Sequence, residues 1–147
     1  MAPKPDPAAL RQHAATLRAG VVLRLYQPIA DKPKRHVLIA VSADRSLAFL
    51  INTTPSLFIQ RQPDFLHRQV LMRQSDHPFM RHDSYIACHD TVRLAPINEL
   101  AAGLCDGSVE RLGYVQASLF GAIYHAANGS RLIADRDAKL IALAFPP

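Results

Sequence analysis

Short apolar segments separated by turn residues most constrain the fold of this 147-residue chain. Residues 21–27, 36–42 and 46–52 are rich in β-branched and other apolar residues, which predicts three strands. Residues 43–45 predict a hairpin between the second and third strands. Parallel strands need long crossover connections, and antiparallel strands are joined by tight turns. The spacing therefore predicts an antiparallel sheet.

Turn and cap residues predict the other elements of the first two-thirds of the chain. Asp6 and Pro7 at one end and Gly20 at the other predict an N-terminal helix between them. Further short strands are predicted over residues 69–72, 84–89 and 91–94, with a bulge or bend at Asp90. Loops are predicted over residues 28–34, 55–68 (with one helical turn after Pro63) and 74–83.

The apolar period changes from two residues to three or four in the last third of the chain, which predicts helices. Their ranges are 96–103, 108–127 and 136–145. Ser108 and Asp135 are expected to cap the second and third of them, and Asn128-Gly129 is expected to end the second. The apolar stripe of the second helix is formed by Leu112, Val115, Leu119, Ile123 and Ala126.

These elements predict one domain over residues 1–147. A proline-rich segment and helix occupy residues 1–20, a small and strongly bent antiparallel barrel occupies residues 21–94, and residues 95–147 form a helical C-terminal part. No apolar run approaches the roughly 20 residues of a membrane span. Residues 1–7 lack the apolar stretch of a signal peptide, so a cytoplasmic protein with free thiols at Cys88 and Cys105 is expected.

Positive charge is concentrated in the first two-thirds of the chain. Residues 1–94 hold 13 Lys and Arg against 7 Asp and Glu, whereas residues 95–147 hold 4 against 5. This distribution favours a polyanion or an acidic protein as the partner of the first part. A basic surface that only keeps the protein soluble is the alternative.

Three blocks, in this order, resemble the MazF/PemK (also called CcdB/Kid-like) family of type II toxins. Lys34-Arg35-His36-Val37-Leu38-Ile39-Ala40-Val41-Ser42 is similar to the family's Arg-Arg-Pro-Val-Leu-Val-Val-Ser, with His36 in place of the proline. Phe49-Leu50-Ile51-Asn52-Thr53 resembles a family strand that ends in a hydroxyl residue. Residues 83–93 resemble Asp-Ser-Tyr-Val-Leu-Cys-Asp-Gln-Ile-Arg. Gly20-Val21 stands where the family has Gly-Asp, and the terminal helices are additional, so the resemblance is to a divergent member.

The resemblance implies an SH3-like barrel and an mRNA interferase, an endoribonuclease that needs no metal or other cofactor. It also implies a homodimer and a cognate antitoxin as partners, with no membrane involved. It assigns Arg35 as the cation that holds the phosphate, and Asn52, Thr53 or Thr54 as a hydrogen-bonding partner of the phosphate. The predicted catalytic residues are Arg35, Thr53 and His82. The predicted RNA-binding residues are Lys32, Lys34, Asn52, Thr54, Arg61, Asp83 and Ser84.

Other interpretations of the same residues stay open. Histidine is the side chain that changes charge near neutral pH, so His82 and His89 are both candidate proton carriers. Arg35 is otherwise a solvated charge at a strand start, and Thr53-Thr54 before Pro55 is otherwise turn chemistry. Residues 76–90 match no common zinc spacing, which predicts no metal site. A non-catalytic barrel that binds nucleic acid or an acidic protein is the alternative function.

Overall fold

A curled antiparallel sheet covered by helices on both faces forms the protein in the computed structural model, which describes residues 4–147. Residues 1–3 of the predicted proline-rich segment lie outside this range. The strands are β1 (Val21–Gln27), β2 (Lys32–Ala40), β3 (Ser46–Asn52), β4 (Gln69–Met72), β5 (Ser84–Ala87), β6 (Val92–Leu94) and β7 (Glu110–Tyr114). The α-helices are α1 (Pro7–Ala15), α2 (Leu57–Gln60), α3 (Pro63–Leu66), α4 (Ile97–Asp106), α5 (Phe120–Ala127) and α6 (Asp135–Ala144).

The strand order is β4-β5-β3-β2-β1-β7, and every neighbouring pair is antiparallel. One end of β3 pairs with β5 and the other end pairs with β6, so the chain bends away from β3 between these two strands. This bend confirms the one predicted near Asp90. Register shifts between β1 and β7 and between β2 and β3 add twist. The edge strands β4 and β7 are not paired with each other within residues 4–147, so the sheet is a half-barrel.

Two core clusters lie on opposite faces of the sheet. Val22, Val37 and Phe49 belong to the first cluster, which α5 and α6 cover. Val21, Leu23 and Leu38 belong to the second cluster, which α4 covers and against which α1 packs. Successive strand residues point to opposite faces, so both must be apolar when both faces are buried. This explains why β1 and β2 carry continuous apolar runs and not an alternating pattern.

The predicted helix over residues 108–127 is wrong in its first half. Residues Glu110–Tyr114 form β7, which pairs with the free edge of β1, and only Phe120–Ala127 is α-helical. An unpaired edge of β1 would leave a row of backbone groups without partners, and this tertiary pairing outweighs the helical spacing of the apolar residues. Gly113 fits the strand because its missing side chain leaves room for the ring of Phe79.

Several strand predictions are confirmed with their bounds, namely β1, β3 and β4. The loop predicted over residues 28–34 is shorter, because β2 begins at Lys32 and Asp31 turns the chain with a φ of 51°. The N-terminal helix ends at Ala15 and not at Gly20. Neither Asp6 nor Asp135 is a side-chain cap, since α1 lacks a cap hydrogen bond and α6 begins after Ala134. The region 55–68 contains two helical turns, α2 and α3, where one was predicted.

The two cysteines are free thiols. Cys88 is buried and Cys105 is exposed. Burial raises the pKa of the Cys88 thiol, which keeps it protonated.

Within residues 4–147, every helix is too short or too polar to cross a bilayer.

His36 is a fully buried polar residue in β2. It lies opposite Leu23 on the face of the second core cluster, whereas the preceding Arg35 lies opposite Ile51 on the other face. Its Nδ1 donates to the carbonyl oxygen of Lys34 at 3.0 Å, and its Nε2 lies 3.4 Å from Nε2 of Gln27. Burial lowers the pKa of His36 to about 4, against the hydrogen bonds to backbone carbonyls that raise it.

We expect His36 to make the protein less stable in acid. Its pKa is lower in the folded state than the ordinary value of about 6.5, so the unfolded chain binds the proton first as the pH falls. Between pH 7 and pH 4 this should remove about 3 kcal/mol from the free energy of unfolding. Urea denaturation of His36→Asn across this range should show a flatter pH dependence. His125→Asn, at an exposed position, is the control and should keep the wild-type slope.

Candidate functional site

A cationic pocket of about 200 Å³ opens at the end of the half-barrel where β2 and β5 begin and β3 ends. Its polar lining consists of Lys32, Lys34, Arg35, Thr53, His82 and Ser84. These are six of the ten residues predicted from the sequence, including all three predicted to be catalytic. Pro33, Ile51 and Met80 complete the lining. We call this site the cationic pocket.

Strand register explains why residues far apart in sequence meet here. Arg35 lies opposite Ile51, and Ile51 lies opposite Ile86 on the next strand. In antiparallel strands, the residues before Arg35, after Ile51 and before Ile86 therefore lie at the same end of their strands. Thr53 follows β3 and Ser84 begins β5 at that end of the sheet.

Like charges dominate the cationic pocket. Its lining within the described residues includes three cationic side chains and no carboxylate. Burial, and then the charge of Lys32, lowers the pKa of Lys34. Burial also lowers the pKa of Arg35, with smaller effects from Arg81 and Arg24 that outweigh the opposing effect of Glu110. Since the lining of this pocket within the described residues contains no carboxylate, an anionic ligand would be stabilised beside these cations.

Arg35 carries a hydrogen-bond donor with no partner. Its Nε atom is buried and makes no hydrogen bond within residues 4–147. An acid is close in the sheet, but the carboxylate of Glu110 pairs at 3.3 Å with Arg24, the neighbour of Arg35 on β1. Leaving a buried donor unpaired costs about 1–3 kcal/mol. The Arg35 side chain also lines the cationic pocket, and its planar guanidinium suits two phosphate oxygens.

The partners of His82 set its tautomer. Its Nδ1 lies 3.1 Å from the carbonyl oxygen of Asp83 and 3.2 Å from the hydroxyl of Ser84. A carbonyl oxygen only accepts, so the proton of the neutral ring is on Nδ1. Nε2 is then the basic nitrogen, and it lies 3.4 Å from the Thr53 hydroxyl. His82 can therefore accept a proton from a hydroxyl that enters the pocket at the position of Thr53.

The other predicted residues lie around the cationic pocket. Asn52 accepts a hydrogen bond from Nζ of Lys34 at 2.8 Å and orients this lysine from outside the pocket lining. Thr54 and Asp83 line a neighbouring cavity of about 650 Å³, which we call the second pocket and which shares Thr53 with the first. Arg61 is exposed at the end of α2 and lines neither pocket.

His89, the other candidate proton carrier, is not among the residues that line the cationic pocket. Its Nδ1 lies 3.0 Å from Nε2 of Gln69, and its ring packs at 5.1 Å from that of Phe65. Burial lowers the pKa of His89 and so favours the neutral ring, although the charge of Asp90 acts in the opposite direction. Within residues 4–147, no three His, Cys, Asp or Glu side chains are grouped so that they could hold a metal ion.

Sequence reasoning missed the residues that complete the two pockets. Met80 belongs to a loop predicted only as polar, and it reaches the cationic pocket because the loop folds back over the sheet. Gln60, Gln69 and Tyr85 line the second pocket. Only Tyr85 carried a signal, since it stands in the block that resembles the toxin family.

Comparison with known proteins leaves the geometry as the basis for a function. No protein-family model matches the chain, and no curated protein matches it. A function must therefore be inferred from the site itself. Its main features are the unpaired donor of Arg35, the basic nitrogen of His82 and the surplus of positive charge.

We expect inorganic phosphate to bind the cationic pocket and to stabilise the fold. At a concentration of about 100 times its Kd, phosphate should raise the free energy of unfolding by about 2.7 kcal/mol. The Arg35→Met variant should lose this effect, because methionine fills similar space without a donor. Thermal unfolding against sodium chloride of equal ionic strength measures it. Arg136→Met, at an exposed position of α6, is the control. Equal stabilisation of Arg35→Met would contradict an anion site at Arg35.

Proposed function

We propose that this protein is an endoribonuclease that cleaves RNA without a metal ion, with an SH3-like barrel of the MazF/PemK toxin type. The cationic pocket is its active site. One observation carries the proposal: Arg35, with its unpaired Nε, lines the same small pocket as the basic Nε2 of His82. A cation that holds a phosphate and a base that activates a hydroxyl are the two parts that metal-free RNA cleavage needs.

The chemistry follows from the positions of these groups. The ribose 2′-hydroxyl takes the place of the Thr53 hydroxyl at His82 Nε2, which accepts its proton. The 2′ oxygen attacks the adjacent phosphorus, and the bond from phosphorus to the 5′ oxygen of the next nucleotide breaks. Arg35 and Lys34 stabilise the charge that develops on the non-bridging oxygens. The proton on His82 passes to the departing 5′ oxygen, which leaves a 2′,3′-cyclic phosphate and a 5′-hydroxyl.

The further partners in this proposal are a cognate antitoxin and a second copy of the chain, acting in the cytoplasm. They rest on the resemblance of residues 34–42 and 83–93 to the toxin family. An acidic antitoxin segment complements the cationic pocket, because its carboxylates would meet Lys32, Lys34 and Arg35. Such a segment would also block access of RNA to His82.

A non-catalytic barrel that binds nucleic acid or an acidic protein is the second candidate. Two observations favour it. His82 is oriented by a backbone carbonyl and a serine hydroxyl, and not by a carboxylate that would stabilise its protonated form. Leu57 and Phe58 on α2 are 65% and 62% exposed, which suits contact with a protein. RNA cleavage by the purified protein separates the two candidates.

We expect Arg35→Ala and His82→Ala each to slow RNA cleavage by about 100-fold or more, the effect of removing one transition-state donor or one general base. Arg35→Lys should recover only part of the rate, because lysine keeps the charge and loses the planar fork. Cleavage in EDTA is followed by gel electrophoresis of labelled RNA, and the thermal midpoints should stay near that of the wild type. Arg136→Ala should cleave normally.

Two results would contradict this mechanism. Cleavage by Arg35→Ala within a few-fold of the wild type would make Arg35 a surface charge only. Loss of cleavage in EDTA, restored by zinc or manganese, would replace the metal-free route with a metal-dependent one. Absence of cleavage in every condition, with RNA still bound, would favour the non-catalytic candidate.

We expect the affinity for single-stranded RNA to fall steeply with salt. Each neutralised phosphate contributes about −0.7 to the log–log slope on single strands, so three contacts from Lys32, Lys34 and Arg35 give about −2. A 2′-O-methyl oligonucleotide, which cannot be cleaved, measures binding alone. Replacing Lys32 and Lys34 together by Gln should bring the slope to about −0.7. Replacing Arg136 and Lys139 on α6 by Gln is the matched control. A slope near zero for the wild type would favour a protein partner.

A further inference from the structure

The second pocket adjoins the cationic pocket and differs from it in chemistry. The two cavities share Thr53, so they lie side by side. The volume of the second pocket is about 650 Å³, within the range of about 300–1,000 Å³ for small-molecule sites. Its apolar and aromatic walls come from Pro55, Leu66 and Tyr85. Such walls suit the flat faces of a nucleobase.

Backbone carbonyl oxygens fix the orientation of the two amide side chains that line this pocket. Nε2 of Gln60 donates to the carbonyl oxygen of Pro55 at 2.7 Å, and Nε2 of Gln69 donates to that of Phe65 at 3.0 Å. A carbonyl oxygen accepts and never donates, so these bonds fix which end of each amide is the nitrogen. The amide oxygens remain for the ligand, and they too can only accept.

Asp83 adds a third acceptor of fixed polarity. One carboxylate oxygen accepts from the backbone N–H of Gln74 at 2.8 Å, which holds the loop before β5 in place. An ionised carboxylate has about four acceptor sites on two oxygens, so this bond leaves capacity for a ligand. The second pocket thus contains three acceptors whose polarity the surrounding structure fixes. A ligand with adjacent donors would satisfy them, and the hydroxyl groups of Thr53, Thr54 and Tyr85 in the same pocket can donate or accept.

We infer that the second pocket binds the guanine base of a nucleotide whose phosphate occupies the cationic pocket. Guanine presents two adjacent donor groups on its Watson–Crick edge, N1–H and the N2 amino group. Adenine, cytosine and uracil have only one donor group on that edge, so they would satisfy fewer of the three fixed acceptors. This inference rests on the proposed function, because the phosphodiester in the cationic pocket is what brings the base to its neighbour.

Calorimetry with the 3′- and 5′-monophosphates of guanosine, adenosine, cytidine and uridine tests the inference on the full chain. At least one guanosine monophosphate should bind more tightly than the matching adenosine monophosphate by roughly tenfold or more, the range that one bidentate base contact gives. Equal affinities of the four bases, or no binding of any nucleotide, would overturn the inference.

Asp83→Asn tests the residue that reads the base. Asparagine keeps one oxygen for the N–H of Gln74 and replaces the other with a donor, so the variant should fold and lose the preference for guanine. Asp76→Asn makes the same charge change at an exposed position of the same loop and should keep the preference. If Asp83→Asn does not fold, Gln60→Ala provides the test, since loss of its acceptor should weaken the preference several-fold. A folded Asp83→Asn with the wild-type preference would overturn the assignment.

Failure of this inference differs in outcome from failure of the proposed function. RNA cleavage at every sequence, with equal affinities for the four nucleotides, removes the base site and leaves the endoribonuclease. Tight and selective binding of a guanosine monophosphate, without cleavage of any RNA, removes the endoribonuclease and leaves a guanine nucleotide site.

Discussion

The burial of β2 on both of its faces decides where this sheet can hold polar side chains. Val37, Leu38 and Ile39 are almost completely inaccessible, since they alternate between the two core clusters. A polar group in this stretch costs several kcal/mol unless it is hydrogen-bonded. His36 is the first residue of the buried part, and it is neutral and tied to the carbonyl oxygen of Lys34. Charged residues therefore lie where the helices no longer cover the strand, at residues 32–35.

The same constraint brings like charges and an unpaired donor together in the cationic pocket, where each costs free energy. Three cations share one small cavity, and the donor of Arg35 remains unpaired although Glu110 is nearby on the sheet. Neighbouring strands hold these groups in position, so they do not have to reorganise when a ligand arrives. Preorganised charge of this kind is how a site stabilises an anion most strongly.

The strands were predictable because their signal is local, whereas the pairing of β7 was not. β1, β3 and β4 have the predicted bounds, since turn residues enclose each apolar run. In residues 108–127, apolar residues at helical spacing predicted a single helix. The free edge of β1 instead captures residues Glu110–Tyr114, nearly ninety residues away in the chain. Gly113 disfavours a helix, but the contact of its backbone with the ring of Phe79 is tertiary and does not show in the sequence. Propensity yields to such tertiary pairing.

The sequence predicted which residues lie in the candidate site, but it did not predict which of their side-chain atoms donate and which accept hydrogen bonds. The sequence allowed a prediction that Arg35, Thr53 and Ser84 lie at one end of the sheet, because antiparallel register follows from the strands themselves. The proton on Nδ1 of His82 and the orientation of the Gln60 amide depend on single carbonyl oxygens, which tertiary folding supplies. Those carbonyl oxygens determine whether each side chain donates or accepts. Charge composition therefore predicts a cationic end of the sheet, whereas the donor or acceptor role of each side chain comes from hydrogen bonds that no pattern in the sequence encodes.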